Sequence, residues 1–204
     1  MNLTARRINI RSLPRDFQSH AGLRCRISPV VGELQQRLLQ MYLAAPRGSF
    51  QGLPPQGDAQ CGKWIRDMTR SAVNIVAVAP DGSVIGHAGI LPVDDRHCQL
   101  MVMVRWALRN QGIGTQLTEA AIVAAAEAGF EQIWLPVEPD NHAAQRLFQR
   151  CGFQTVVGET ALSDAPIRME MDLLPLASTA SPVATTAVAM PHFLQLVGIP
   201  TSVL

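Results

Sequence analysis

The sequence predicts an α/β domain, a mixed central sheet with helices on both faces, and three observations lead there. Apolar runs at residues 73–79 and 84–91 flank Pro80-Asp81-Gly82-Ser83, a strong hairpin turn, so two antiparallel neighbours are expected. A strand-like run at 98–104 passes through Arg109-Asn110-Gln111-Gly112-Ile113-Gly114-Thr115 into a helix-like run at 113–128. A further strand at 132–137 then leads through Asn141 into a short amphipathic helix that Gly152 terminates. Strands that alternate with helices in this way make a layered α/β arrangement.

Each element has its own cause in the residues. Residues 23–27 alternate and read as a strand, after which Ser28 and Pro29 suit an N-cap and a first helical position. Val31, Leu34, Leu38, Met41 and Ala45 fall on one face of that helix. Residues 46–58 hold three prolines and three glycines, a loop of the length that usually binds or covers something. A second helix is expected over 60–70. On the helix after the glycines, Ile113, Leu117, Ala121, Ala124 and Ala128 keep helical spacing, and their small size lets it lie close to the sheet; Gly129 ends it. The next helix buries Ala144, Leu147, Phe148 and Cys151, and residues 153–157 and 168–172 close the sheet. The resulting order is β α α β β β α β α β β.

Composition narrows the function classes. At 204 residues, 48% hydrophobic and 16% charged, the chain has an ordinary globular balance, and its net charge of +1 offers no bulk attraction to nucleic acid. No apolar run reaches the ~18 to 20 residues of a spanning helix. Cys25, Cys61, Cys98 and Cys151 are widely spaced, without the pairs that mark a zinc or redox site, so no metal and a reducing, cytoplasmic setting are expected. Residues 1–22, with Arg6, Arg7, Arg11 and Arg15 and no acid before Asp16, superficially match a transit peptide but are read as a mobile basic extension. Residues 174–204 carry no charged side chain, and Pro182, Pro191 and Pro200 break any continuous helix; a mobile tail is expected. The folded domain is thereby placed at 23–173.

The glycine segment carries the chemistry. Two glycines at a helix entrance leave backbone N–H groups open to an anion, and the helix dipole adds about half a positive charge there. A dinucleotide fingerprint needs a third glycine and a later acid, and a Walker loop needs Gly-Lys-Ser/Thr; neither is present. The cradle at Arg109, Gly112 and Gly114, taken with Asn141 and with Leu147-Phe148-Gln149-Arg150-Cys151-Gly152-Phe153, resembles the GNAT superfamily of acyl-CoA-dependent N-acetyltransferases. The two halves occur in that family's order and separation.

The resemblance implies the GNAT fold and acetyl-CoA as co-substrate. It places Val102, Met103 and Val104 on the strand that pairs with the pantetheine arm and donates to the thioester carbonyl. It places Arg109, Asn110, Gln111, Gly112, Ile113, Gly114 and Thr115 around the pyrophosphate, with Asn141 and Phe148 beside the cofactor. A side chain at Gly112 or Gly114 is accordingly expected to occupy the phosphate position.

The acid and base are less complete. Relatives often carry Tyr where Phe148 stands and Glu where Gln99 stands, and neither residue here has a titratable proton. Gln99 can orient a water or hold the acceptor. His97 shares strand parity with Gln99, and imidazole is the side chain that changes charge near neutral pH. Glu138, after the next strand, is the other candidate base. Asp94 and Asp95 read as turn residues, His87 as a satisfied sheet histidine, and His142 as exposed. Two functions follow: an N-acetyltransferase acting on a primary amine, with a slight preference for a protein or peptide amine, or a non-catalytic acyl-CoA-binding regulatory module of the same fold. The oligomeric state is left open.

Overall fold

A computed structural model describes residues 10–45, 55, 57–156 and 165–173. The strands are β1 (Arg15–Gln18), β2 (Arg24–Pro29), β3 (Val73–Val78), β4 (Val84–Pro92), β5 (His97–Val104), β6 (Gln132–Val137), β7 (Gln154–Thr155) and β8 (Ile167–Asp172). The α-helices are α1 (Leu34–Leu43), α2 (Asp58–Ser71), α3 (Ile113–Glu127) and α4 (His142–Arg150). They form one 8-stranded sheet in the order β1-β2-β3-β4-β5-β6-β8-β7. Every neighbouring pair is antiparallel except β5 and β6, which run parallel. The expected mixed sheet and element order are present, with one strand added at the front.

That added strand revises the amino-terminal boundary. β1 lies within the stretch assigned from sequence to a basic extension, yet it pairs along its length with β2, and Ile10 before it is buried. Several contacts hold this segment to α3: among them, Arg15 Nη2 donates to Gln116 O at 2.7 Å, and Ser12 Oγ lies 3.1 Å from Glu127 Oε2. Residues 1–9, most of the long loop at 46–56 and the tail from 174 onward lie outside the described residues.

The start of α1 also differs from expectation. Ser28 and Pro29 continue β2 opposite Val76 and Ile75, Val30 N donates to Asn74 O at 2.9 Å, and the helix begins only at Leu34. Val31, expected on the buried face, is 66% exposed. Leu38 and Met41 are buried as expected, joined by Tyr42, against Trp64, Ile65 and Met68 of α2. These two helices cover one face of the sheet. On the other face α3 and α4 pack over Ile85, Leu100, Ile133, Leu135 and Met169.

The β3–β4 hairpin turns where expected, with Gly82 at φ +79 and its N–H on Ala79 O at 2.9 Å. Gly86 lets α3 approach: a Cβ there would meet Leu117 Cδ1 at 2.7 Å and Met103 O at 3.2 Å. The α3 entrance is thus seated directly against β4 and β5.

Beneath α1 and α2 runs a buried polar chain. Asn74 Nδ2 donates to Met68 O at 3.1 Å and Ala72 O at 2.8 Å, so its Oδ1 faces His87 Nε2 at 3.0 Å as an acceptor. Nε2 therefore carries the ring proton, and Nδ1 accepts from the Tyr42 hydroxyl at 2.8 Å. His87 is the satisfied sheet histidine that the sequence suggests. Burial pushes its pKa from 6.5 down to about 3. The unfolded chain thus takes up this proton at a pH where the folded one cannot. Stability from the neutral ring is complete above pH 6.5 and is lost as pH falls toward 3, at up to about 1.4 kcal/mol per pH unit. Urea unfolding between pH 7 and 4 should show this slope, and His87→Gln should flatten it; an unchanged slope in the variant would attribute acid sensitivity to other groups.

Candidate active site

β5 and β6 touch only at their beginnings. Their parallel register covers His97 with Gln132, Cys98 with Ile133 and Gln99 with Trp134, and goes no further. Beyond this point β5 runs on to Val104 paired with β4 alone, and β6 runs on to Val137 paired with β8 alone. The two strands splay apart, so main-chain groups of Val102, Met103 and Val104 on the β6 side face a gap instead of a ladder. Gln99 and Trp134 stand at the vertex.

The mouth of the gap is the entrance of α3. Gly112 is the N-cap, left-handed at φ 81, and the first helical bond runs from Gln116 N to Gly112 O at 3.1 Å. The amides of Gly112, Ile113, Gly114 and Thr115 precede it and have no partner within the helix. Asn110 is also left-handed, at φ 60, a conformation that asparagine tolerates better than most residues. Ile113 is fully buried and anchors the turn, while the Arg109 guanidinium lies 4.3 Å from the Trp106 ring centroid. Convergent N–H groups beside a cation make this an anion site in outline.

Both glycines are required by their protein neighbours as well. A Cβ at Gly114 would meet Leu147 Cδ1 at 2.9 Å, so this glycine permits close packing of α3 on α4. A Cβ at Gly112 would meet His20 Nε2 at 2.7 Å. His20, in the β1–β2 turn, also donates its N–H to Gln111 O at 3.0 Å. Sequence reasoning missed His20 because it belongs to the stretch taken for an extension, and nothing in its local pattern points to residue 112.

The other assigned residues divide into groups. Gln99 is 4% exposed, lies on the α1/α2 face with Leu91 opposite, and its Oε1 is buried without a hydrogen-bond partner among the described residues. His97 shares that face two residues away, about 7 Å along the strand. Its Nδ1 lies 2.7 Å from Asp94 Oδ2. Partial burial works to raise the Asp94 pKa, but hydrogen bonds from Arg96 N, the His97 ring and His97 N outweigh it and hold the carboxyl below its ordinary range. Asp94 is therefore both the expected turn residue and a partner that orients His97. Glu138 is not brought to this group: it lies four residues beyond Trp134, about 13 Å along the strand direction, at the cradle end of the gap.

Asn141 caps α4, with Oδ1 accepting from Ala144 N at 3.2 Å. Phe148 is 8% exposed and packs edge-on to Phe153 at 5.7 Å, so it is a core residue that can offer the cofactor a wall. A separate cavity of about 360 Å³, lined by Leu23, Asp81, Ile85, Arg105 and Leu108 among others, flanks the β5–α3 connection and contains none of the assigned residues. Among the described residues no group of His, Cys, Asp or Glu could hold a metal ion, and no helix is long and apolar enough to cross a membrane.

Comparison with known proteins places this geometry. Residues 37–153 match the model of the acetyltransferase (GNAT) family. An uncharacterized N-acetyltransferase of Mycobacterium bovis is 27% identical over 97 residues, 47% of this chain and 60% of the relative. A Mycobacterium tuberculosis H37Rv protein of the same description matches equally. The chain thus spans about 60% of the length of these curated relatives. Among solved structures, the GNAT domain of Streptomyces lividans PAT superposes with a TM-score of 0.67 at 19% identity, covering 78% of this chain and 97% of that one. A GNAT-family acetyltransferase from Streptococcus pneumoniae superposes with 0.58 at 18% identity, covering 73% and 99%. The family model covers more than half of the chain, and the chain belongs to the GNAT family of acetyltransferases.

Proposed function

We propose that this protein transfers an acetyl group from acetyl-CoA to a primary amine, with a protein or peptide amine as the favoured acceptor, in the cytoplasm. The observation that carries the reading is the gap between β5 and β6, open at the α3 entrance and closed at Gln99 and Trp134. In this arrangement the amides of residues 111–115 hold the pyrophosphate, with Arg109 and His20 beside them. The pantetheine arm lies along Val102, Met103 and Val104, and the thioester reaches toward the vertex.

The reaction then needs little further chemistry. The amine lone pair attacks the thioester carbon, forming the C–N bond, while a main-chain N–H of β5 receives the developing oxyanion. Collapse breaks the C–S bond; the nitrogen loses its proton to solvent, and the thiolate takes one up. Holding amine and thioester together contributes up to ~7 to 11 kcal/mol. Gln99 has no proton to exchange, and His97 stands a further two residues from the vertex. The rate at subsaturating acceptor should accordingly follow the neutral fraction of the acceptor amine, climbing well above pH 8 for a lysine-like amine of pKa ~10.4. A profile that levels off near pH 7 and is lost in both His97→Ala and Asp94→Asn would assign the base to the His97–Asp94 pair instead.

A binding module that reports acyl-CoA is the second reading. It is favoured by one observation: the positions of Gln99 and Phe148 offer no titratable group, and Phe148 is committed to the core. Thiol release from acetyl-CoA with a panel of amines, run beside direct CoA binding, separates the two.

A further inference from the structure

Of the buried polar atoms without hydrogen-bond partners among the described residues, two carried by sheet strands on the α1/α2 face are of opposite sense. Gln99 Oε1 is an acceptor and Arg168 Nε is a donor. Gln99 is in register with Trp134, and Trp134 with Glu170, two residues from Arg168 on the same face of β8. The Arg168 guanidinium lies over the Trp134 ring, its Cζ 4.6 Å from the centroid. Its contact with Glu170 Oε2 at 3.4 Å is an ion pair too poorly aligned to be a hydrogen bond for Nε. Trp134 thus stands on the strand between the two that carry these atoms, β5 and β8. An unmade hydrogen bond at a buried group costs about 1–3 kcal/mol, so two of them at the end of a reactive gap call for a ligand that satisfies both.

We infer that the acceptor is the α-amine of a peptide or protein N-terminus: its nitrogen donates to Gln99 Oε1, and the carbonyl oxygen of its first residue accepts from Arg168 Nε. This rests on the transferase reading above and narrows its substrate class. Such an acceptor carries a donor and an acceptor two carbons apart, one for each of the two senses left unsatisfied at Gln99 Oε1 and Arg168 Nε. A lysine ε-amine presents no carbonyl within that reach. A polyamine presents only donors, and the cation already over Trp134 repels it. The chemistry agrees as well. An α-amino group titrates near ~7.7–8.0, so roughly a tenth of it is neutral at pH 7, against less than about one part in a thousand for lysine. A vertex with Gln99 in place of a titratable base can serve the former amine and serves the latter poorly.

The test compares acceptors with and without the carbonyl, using the full chain and acetyl-CoA, with every kcat/KM expressed per neutral amine so that differences in basicity cancel. Phenylalanine amide has the α-amine and the carbonyl; phenethylamine has the same ring and amine without the carbonyl. The wild-type protein should favour phenylalanine amide by at least tenfold in kcat/KM. It should also favour a peptide with a free N-terminus over the same peptide N-acetylated and carrying one lysine, and over spermidine. Arg168→Met should remove the preference for phenylalanine amide by raising its KM, with acetyl-CoA affinity unchanged; that affinity also reports that the variant is folded. Arg168→Lys, which keeps the charge but loses the planar fork, should fall between. Equal use of phenethylamine by the wild-type protein, or faster acetylation of the blocked lysine peptide or spermidine, would overturn the inference while leaving the transferase reading intact. Absence of acetyl-CoA binding would overturn the transferase reading itself.

Discussion

Gln99→Glu is expected to raise turnover at neutral pH by roughly 100-fold, the low end of general-base effects, while acetyl-CoA affinity stays the same. The geometry supports a large effect. Residue 99 is 4% exposed at the vertex of the splayed strands, and its side-chain oxygen has no hydrogen-bond partner among the described residues. A carboxylate placed there is desolvated, which raises its pKa from the ordinary ~4.3 toward the working pH, where a base is most effective. It also keeps an acceptor oxygen in the Oε1 position, so the acceptor remains held. The pH profile should shift with it: the variant's rate levels off near the new carboxyl pKa, whereas the wild-type rate follows the acceptor amine. Steady-state kinetics from pH 6 to 10 on both proteins checks this. A loss of activity in the variant would mean that the Gln99 amide donates a necessary hydrogen bond.

Gly112→Val should reduce affinity for acetyl-CoA by about 100-fold or more, equivalent to ~2.7 kcal/mol. Gly112 is left-handed at φ 81, a region closed to a β-branched residue, and a Cβ there collides with His20 Nε2. Relief requires the α3 entrance to rotate or the β1–β2 turn to lift, and either movement scatters the amides that converge on the pyrophosphate. Calorimetric titration of acetyl-CoA measures the loss. Gly114→Ala is the informative contrast: its Cβ meets Leu147 on α4, so it should lower the melting temperature more than it lowers affinity. Unchanged affinity in Gly112→Val would remove the cradle from the account.

What the sequence conveyed depended on whether the cause was local. The Pro80-Asp81-Gly82-Ser83 turn, the cap at Asn141 and the small-residue face of α3 are each determined by neighbours in the chain, and all stand where expected. The strand β1 was illegible because Arg15, Asp16, Phe17 and Gln18 have no apolar alternation of their own. Its anchors, Gln116 and Glu127, lie over a hundred residues away. Ser28 and Pro29 look locally like a helix start, but pairing with Val76 and Ile75 keeps them in β2. The same division runs through the site. The glycine entrance could be read directly, whereas the contact of His20 with Gly112 and the stack of Arg168 on Trp134 exist only because the sheet brings distant segments together. Glu138 is a candidate base for its place after the strand that splays, and it follows Val137 at the cradle end of the gap.

The central claim is that the gap between β5 and β6 holds acetyl-CoA and delivers its acetyl group to an amine. The most direct measurement is release of free thiol from acetyl-CoA, followed with and without a peptide bearing a free N-terminus, alongside calorimetric binding of acetyl-CoA to the same preparation. The account predicts saturable binding and thiol release that depends on the peptide and yields an N-acetylated product of matching amount. Binding with no release on any amine would contradict it and establish an acyl-CoA-binding module instead.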